Sequence, residues 1–101
     1  MAYGLFSAVT ARPGKRNELA RYLLQAARLL EAEPSCLHYI VATSDEPDVV
    51  YVFEAWTDQR THDASLTRDD IRMLVNEAGP SIAGMSEQAR LAIQGGKGLI
   101  R

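Results

Sequence analysis

The chain has 101 residues, the length of one small domain, and 47% of them are hydrophobic, as in ordinary globular proteins. Its formal net charge of −2 comes from 11 basic and 13 acidic residues, which argues against a nucleic-acid-binding protein because such proteins carry a basic field. No apolar run approaches the ~20 residues of a membrane span, and neither a secretory signal nor a basic run suited to an anionic membrane is recognisable. We therefore expect a cytoplasmic protein with no membrane or nucleic-acid partner.

Cysteine and histidine are scarce, which limits the redox and metal chemistry of the chain. Cys36 is the single cysteine, so no internal disulfide can form. Cys36, His38 and His62 are the only soft ligands, too few for a dedicated zinc site, so we expect no metal. A hydrolase is also disfavoured, because no G-x-S-x-G motif is present and Asp63 is expected to point away from His62 on a helix.

The first third of the chain predicts a strand followed by a helix. Residues 2–11 are rich in β-forming residues and end at the turn sequence RPGK. From Lys15, apolar residues recur every three or four positions, which predicts an amphipathic helix. This helix is expected to end near Glu33, because Pro34 disfavours helical backbone in the residue before it.

The rest of the chain predicts three more strands and two short helices. The turn SDEPD joins the first two of these strands into a hairpin. Asp58 is placed to cap the next helix, and Thr67 begins TRDD, which resembles a capping box for the last helix. The sequence GPSIAG then breaks the chain before the final strand. The predicted strands cover residues 36–43, 49–57 and 86–94, and the predicted helices cover residues 59–66 and 67–78.

The order strand, helix, strand, strand, helix, strand indicates a ferredoxin-like βαββαβ fold of the α+β class. Such a fold has a four-stranded antiparallel sheet with the helices on one face. We expect one domain over residues 1–94 and a C-terminal tail over residues 95–101. The tail sequence GGKGL lacks the spacing of a phosphate-binding loop.

The strands are apolar on both sides, although helices cover only one face of such a sheet. A sheet with one solvated face normally alternates apolar with polar residues, because successive side chains point to opposite faces. In the third strand Val50, Val52, Glu54 and Trp56 share one face, and Val49, Tyr51, Phe53 and Ala55 share the other. A second copy is the simplest cover for the open face, so we expect a homodimer through the sheet face.

Three segments stand in a recognisable order and spacing: RPGKRNEL, EPSCLHYIVATSDEPD and VFEAWTDQ, with Glu54-x-Trp56 in the last of them as the most recognisable part. Together they resemble the antibiotic biosynthesis monooxygenase (ABM) domain family, of the quinol monooxygenase type. HDASL, GPSIAG and GGKGL are similar to a sub-branch of the same family. The resemblance spans nearly the whole chain and implies a dimeric α+β barrel.

The resemblance implies a cofactor-independent monooxygenase that oxidises a quinol or a related phenolic aromatic with dioxygen, without metal or flavin. Such chemistry needs an aromatic, apolar pocket with one or two titratable groups. His62 would be the catalytic base or the hydrogen-bond partner of the phenol, because imidazole exchanges protons near neutral pH. Trp56 would line the pocket, and Glu54 and Ser65 would bind and orient the substrate. Ser65 lies one helical turn after His62.

Each of these side chains also has a purely structural interpretation. Trp56 fits a core tryptophan, and His62 fits a helix-start histidine that faces water. Glu54 fits a buried acid that is satisfied by an arginine or by a helix N-terminus. The arginines considered as its partner are Arg12, Arg72 and Arg90.

The chain departs from the family's pattern at several positions. Much of the family carries a histidine nine residues after the tryptophan, where this chain has Ser65, and cofactor-free members carry an asparagine at the position of Val52. Haem-degrading relatives use an asparagine near Ser7, so haem degradation is disfavoured. The alternative function is a non-catalytic dimer that binds a small aromatic or hydrophobic ligand. A pocket between helices and sheet, lined by Trp56 and His62, would favour the enzyme.

Overall fold

The computed structural model describes residues 1–99, apart from the side chain of Glu87, and has the predicted ferredoxin-like architecture. The four strands form one open antiparallel sheet in the order β2-β3-β1-β4, with the helices on one face. The strands are β1 (Ala2–Ala11), β2 (Cys36–Thr43), β3 (Val49–Trp56) and β4 (Ile82–Ile93), and the helices are α1 (Arg16–Leu29), α2 (Gln59–Ser65) and α3 (Asp69–Ala78). Of the tail, residues 100 and 101 lie outside the described part.

Strand β4 begins earlier than the sequence predicted. Ile82 already lies opposite Ala11 of β1, and the predicted break is confined to a 3₁₀ turn over Gly79–Ser81. The glycine and proline of GPSIAG suggested a loop, but β1 is long enough to pair with the second half of this segment, from Ile82 onward. Tertiary pairing therefore overrides the local turn signal here.

The caps of the two short helices were predicted with mixed success. Asp58 caps α2 as expected, because its Oδ1 accepts a hydrogen bond from the backbone N–H of Thr61 at 2.8 Å. The capping role of Thr67 is wrong. Its hydroxyl instead donates to the carbonyl of Ala64 at 2.7 Å, and Arg68 precedes the first turn of α3 without a side-chain cap. The threonine therefore closes the end of α2 rather than the start of α3.

The helix-facing side of the sheet carries two buried clusters. One contains Val9, Ala11, Leu19 and Val50. The other lies at the end of β3 and contains Leu30, Trp56 and Ile71, which join the end of α1, the sheet and α3. Among the described residues, none of the helices combines the length and the apolar character of a membrane span.

The opposite side of the sheet, called here the open face, is apolar and uncovered in the single chain. Ile40 of β2 is 52% exposed and Leu91 of β4 is 41% exposed. Between these edge strands, the rings of Phe6 and Tyr51 stack with centroids 5.9 Å apart and an interplanar angle of 6°. The strand pattern had predicted this second apolar face.

Candidate functional site

The carboxylate of Glu54 and the indole of Trp56 lie on the helix-facing side of β3. They are two residues apart, so the strand period places them on one face, and Trp56 Nε1 donates to Glu54 Oε1 at 3.0 Å. Leu5 of β1 and Tyr39 of β2 lie directly opposite Glu54, and Tyr3 lies opposite Trp56. The carboxylate is therefore enclosed by aromatic and aliphatic side chains.

His62 reaches this cluster because α2 folds back over the end of β3. Its Nε2 lies 3.7 Å from Glu54 Oε1, and only 10% of its side chain is exposed. The imidazole meets the indole of Trp56 edge to face, with centroids 5.6 Å apart at 80°, and the ring of Tyr3 lies 5.5 Å away at 48°. The structure thus brings Glu54, Trp56 and His62 together. These three residues are called the Glu-Trp-His cluster below.

Asp63 contacts the imidazole, contrary to the expectation from the helix period. Its Oδ1 lies 2.9 Å from His62 Nδ1, and 60% of its side chain is exposed. Successive residues of a helix diverge by about 100°, but the carboxylate is close enough to turn back toward the neighbouring ring. The prediction that Asp63 points away from His62 is therefore wrong. Asp63 links an otherwise buried imidazole to the solvent.

Ser65 is buried beside His62 but its hydroxyl is not directed at the ring. Its Oγ donates to the backbone carbonyl of His62 at 2.6 Å, one turn back along α2. Such a bond from serine to an earlier carbonyl is common at the end of a helix. In this conformation the serine positions His62 through its backbone.

Burial shifts the acid–base behaviour of several groups at this end of the sheet. It raises the pKa of Glu54 above the ordinary value, against the hydrogen bond from Trp56 and the charge of His62. Burial and then the Glu54 charge also raise the pKa of the Tyr39 hydroxyl. The pKa of the Cys36 thiol rises to about 11, mainly by burial and then through Glu54 and Glu33. The surroundings therefore favour protonated, neutral groups.

Sequence comparison assigns the chain to a family. The profile of the family described as "Antibiotic biosynthesis monooxygenase" matches residues 3–76, which run from the second residue of β1 to the third-last residue of α3. The chain belongs to the ABM family. All of the Glu-Trp-His cluster lies within the matched region, as do Tyr3, Tyr39 and Asp63. No curated protein matches the chain.

Solved structures extend the ABM likeness over nearly the whole chain. A "putative Antibiotic biosynthesis monooxygenase" from Chloroflexus aurantiacus J-10-fl is 31% identical, with a TM-score of 0.87 over 98% of this chain and 99% of that one. A protein of the same description from Caulobacter crescentus CB15 is 24% identical, with a TM-score of 0.83 over 92% and 91%. A Mycobacterium tuberculosis protein is 16% identical, with a TM-score of 0.81 over 96% and 99%. The last two show the shared fold.

Val52 and Ser7, the two positions at which the resemblance led us to expect an asparagine, face each other in the sheet. Val52 of β3 lies opposite Ser7 of β1, on the helix-facing side, and both are buried. Val52 is two residues before Glu54 and so adjoins the cluster on the same face. The neighbouring wall of this ABM site is therefore aliphatic, with one hydroxyl.

The Glu-Trp-His cluster is packed shut in the single ABM chain. Trp56 has no exposed surface. A hollow of about 530 Å³ lies instead at the end of the open face, with Ala2, Leu37, Ile93 and Leu99 in its wall. A second hollow, of about 200 Å³, lies along α1. Neither is lined by Trp56 or His62, so these hollows are not the predicted pocket.

Tyr39, Tyr3 and Asp63 were missed as neighbours of the predicted ABM site. Tyr39 lies opposite Glu54 only because the hairpin pairs Thr43 with Val50. A register one residue different would have turned Tyr39 toward a different partner. The hairpin register is thus the signal that could have found it. Among the described residues, no group of three or more histidine, cysteine or acidic side chains is arranged to hold a metal ion.

Proposed function

We propose that this ABM protein is a cofactor-independent monooxygenase that oxidises a quinol or a related phenolic aromatic with dioxygen. The observation that carries the proposal is the Glu-Trp-His cluster, in which an imidazole lies 3.7 Å from a buried carboxylate between aromatic rings. A flat, electron-rich ring fits aromatic walls, and the adjoining base accepts its phenolic proton.

The proposed reaction balances without a cofactor because the substrate is the reductant. A quinol and dioxygen give a hydroxyquinone and one water. Two electrons come from conversion of the quinol to the quinone, and two come from replacement of a ring C–H by C–OH. One oxygen atom enters the ring and the other leaves as water. The protein's tasks are to remove the phenolic proton, to hold the ring and to keep bulk water away.

In the proposed mechanism the substrate reaches the cluster when α2 moves away from the sheet. The indole has no exposed surface, so a bound ring can touch it only after such a displacement. The helix has seven residues and is fastened at its start by the Asp58 cap and at its end by Ser65 and Thr67. These local bonds let it move as one unit without breaking the sheet.

The proposed active form is a homodimer through the open face. Exposed Ile40 and Leu91, with the Phe6–Tyr51 stack between the edge strands, give this face the apolar character of a protein interface. An interface of standard size buries about 800 Å² per partner, which is within the reach of one face of a four-stranded sheet. Glu54 and His62 lie on the opposite side of the sheet, so this dimer leaves the route past α2 free.

Oxygen uptake with a panel of hydroquinones and naphthols tests the proposal. Uptake must exceed that of a no-enzyme blank, because such substrates autoxidise. His62→Gln should lower uptake about 10²-fold, the usual contribution of a general base. His38→Gln is the matched control, because His38 is the only other histidine and its Nε2 contacts the Gly98 carbonyl, at 3.2 Å, instead of the cluster. Uptake equal to the blank across the panel contradicts the proposal.

The second candidate function is a non-catalytic dimer that binds a small aromatic or hydrophobic ligand. The complete burial of Trp56 and the aliphatic side chain of Val52 favour it, because both reduce the room for a reacting ring. Calorimetric titration with the same aromatic panel, alongside oxygen uptake, distinguishes the two functions. The binding function is supported if an aromatic ligand still binds to both the His62→Gln and the His38→Gln variants and no oxygen is taken up.

A further inference from the structure

The imidazole of His62 lies between two carboxylates that differ in their surroundings. On one side Nδ1 is 2.9 Å from Asp63 Oδ1, whose side chain is largely exposed. On the other side Nε2 is 3.7 Å from Glu54 Oε1, whose side chain is only 14% exposed. The ring is therefore polarised between a surface acceptor and a buried acid whose pKa is raised by burial.

Packing fixes the plane of this imidazole. The indole of Trp56 meets it edge to face, and the Tyr3 ring lies against it at 48°. The Ser65 hydroxyl donates a hydrogen bond to the backbone carbonyl of His62. These contacts oppose a ring flip that would exchange the two nitrogens, so each nitrogen keeps its own carboxylate partner.

The hydrogen-bond chemistry then decides which nitrogen carries the proton of the neutral ring. An ionised carboxylate only accepts hydrogen bonds, so the short contact to Asp63 requires a proton on Nδ1. The Nε2 lone pair then faces Glu54. We propose that Asp63 is a positioning residue that fixes His62 as its Nδ1–H tautomer, so that the unprotonated Nε2, 3.7 Å from Glu54 Oε1, is the base. The catalytic part of this inference rests on the proposed oxygenase function.

Other titratable groups surround the pair on the packed strands. Tyr3 of β1 lies against His62, and Tyr39 and Cys36 of β2 lie beside Glu54 and Trp56 in the sheet register. Arg90 of β4 lies opposite Leu5, which is itself opposite Glu54. The tyrosine and cysteine of β2 hold their protons over the neutral range. Neither of these two groups is therefore available as the base.

His62 Nε2 would store the phenolic proton during the proposed reaction. The phenolic O–H bond breaks and an N–H bond forms at His62 Nε2, while Nδ1–H remains bonded to Asp63. The same proton returns when the oxygen derived from dioxygen leaves as water, so none is consumed. Direct transfer between His62 Nε2 and Glu54 Oε1, which are 3.7 Å apart, would require α2 to close again after the substrate has entered, because catalytic hydrogen bonds commonly tighten only in the bound state.

The tautomer can be measured without substrate. Long-range ¹H–¹⁵N correlation spectra of the full chain, labelled with ¹⁵N-histidine, distinguish a protonated from an unprotonated ring nitrogen. In the wild type at a pH where the ring is neutral, Nδ1 should be protonated and Nε2 unprotonated. Asp63→Ala should shift the population toward the Nε2–H tautomer. Asp63→Glu keeps a carboxylate at this position and should retain part of the Nδ1–H population. A wild-type ring with its proton on Nε2 overturns the inference.

Asp45→Ala is the matched control, because Asp45 is an exposed acid in the turn at the other end of the β2–β3 hairpin. It should leave the His62 tautomer unchanged. If Asp63→Ala also leaves the His62 tautomer unchanged, Asp63 has no positioning role. His62→Gln, which has no imidazole signal, identifies the His62 resonances against those of His38.

Oxygen uptake then separates this inference from the proposed function. In an active enzyme, Asp63→Ala should lower kcat about 10-fold or more with KM within about twofold, and Asp63→Glu should restore part of it. A changed tautomer with unchanged kcat overturns the catalytic part of the inference. Absence of uptake in the wild type overturns the proposed function, while the tautomer measurement still decides the role of Asp63.

Discussion

The carboxylate of Glu54 accepts the indole N–H of Trp56 at 3.0 Å, from a position two residues earlier in the same strand. The pair is therefore formed by β3 itself, and it satisfies both polar groups before any helix covers them. A buried acid without such a donor would cost free energy of folding. The helix α2 adds the imidazole to a preformed pair, which explains how a short helix can complete the cluster.

Trp56→Phe should destabilise the fold by about 2 kcal/mol or more. Phenylalanine keeps a ring in the core but removes the donor to Glu54 and part of the packed volume. The free energy of unfolding should be measured by urea denaturation followed by circular dichroism, because Trp56 is the only tryptophan. Tyr51→Phe, on the open face of the same strand, is the control and should change it by less than about 0.5 kcal/mol. Equal effects of the two variants would show that the indole–carboxylate bond contributes nothing.

Glu54→Gln should alter the pH dependence of stability in a defined direction. Burial holds the folded pKa of Glu54 above its ordinary value of 4.5, so the folded state binds this proton more tightly than the unfolded chain does. The contribution of protonated Glu54 to the free energy of unfolding is fully present below about pH 4.5, and it is lost as pH rises through the folded pKa of Glu54. The wild type should therefore lose stability relative to Glu54→Gln over this range.

Urea midpoints between pH 4 and pH 8 measure this difference. Glutamine keeps an acceptor for Trp56 Nε1–H, so the variant separates the charge from the hydrogen bond. Asp45→Asn is the control, because it changes an exposed acid at the far end of the hairpin. Parallel curves for the wild type and Glu54→Gln would contradict a raised pKa at this site.

The Cys36 thiol should react slowly with alkylating reagents in the folded protein. Its pKa of about 11 leaves far less thiolate at pH 8 than an unperturbed thiol has, and thiolate is the reactive form. Labelling should be about 10²-fold slower than in guanidinium-unfolded protein at the same pH. Glu54→Gln should speed native labelling, because the Glu54 charge helps to raise this pKa. Native labelling as fast as in the unfolded chain would contradict the prediction.

The sequence was sufficient for most of the fold because its periodicities are local. The strand period alone places Glu54 and Trp56 on one face, and Asp58 caps α2 as its position before the helix predicted. The start of β4 at Ile82 was missed because it depends on pairing with a distant strand. Local signals therefore predicted the elements, and long-range pairing decided their extent.

The candidate site was only partly predictable for the same reason. Its members on β3 and α2 follow from local pattern, but the approach of His62 to Glu54 depends on how α2 folds over the sheet. The contact of Asp63 with His62 depends on a side-chain conformation, which the helix period does not determine. The closed packing around Trp56 is a property of the whole core and leaves no signature in a short motif.

Ile40→Asp should prevent the proposed dimer from forming. Ile40 is half exposed on the open face, and a charge there would be buried without a partner if two such faces met. Light scattering after size exclusion should give a dimer for the wild type and a monomer for this variant. Met73→Asp is the matched control, because Met73 is also an exposed apolar residue but lies on α3, and it should remain dimeric. A monomeric wild type at all concentrations, or an Ile40→Asp variant that stays dimeric, would exclude the open face as the interface.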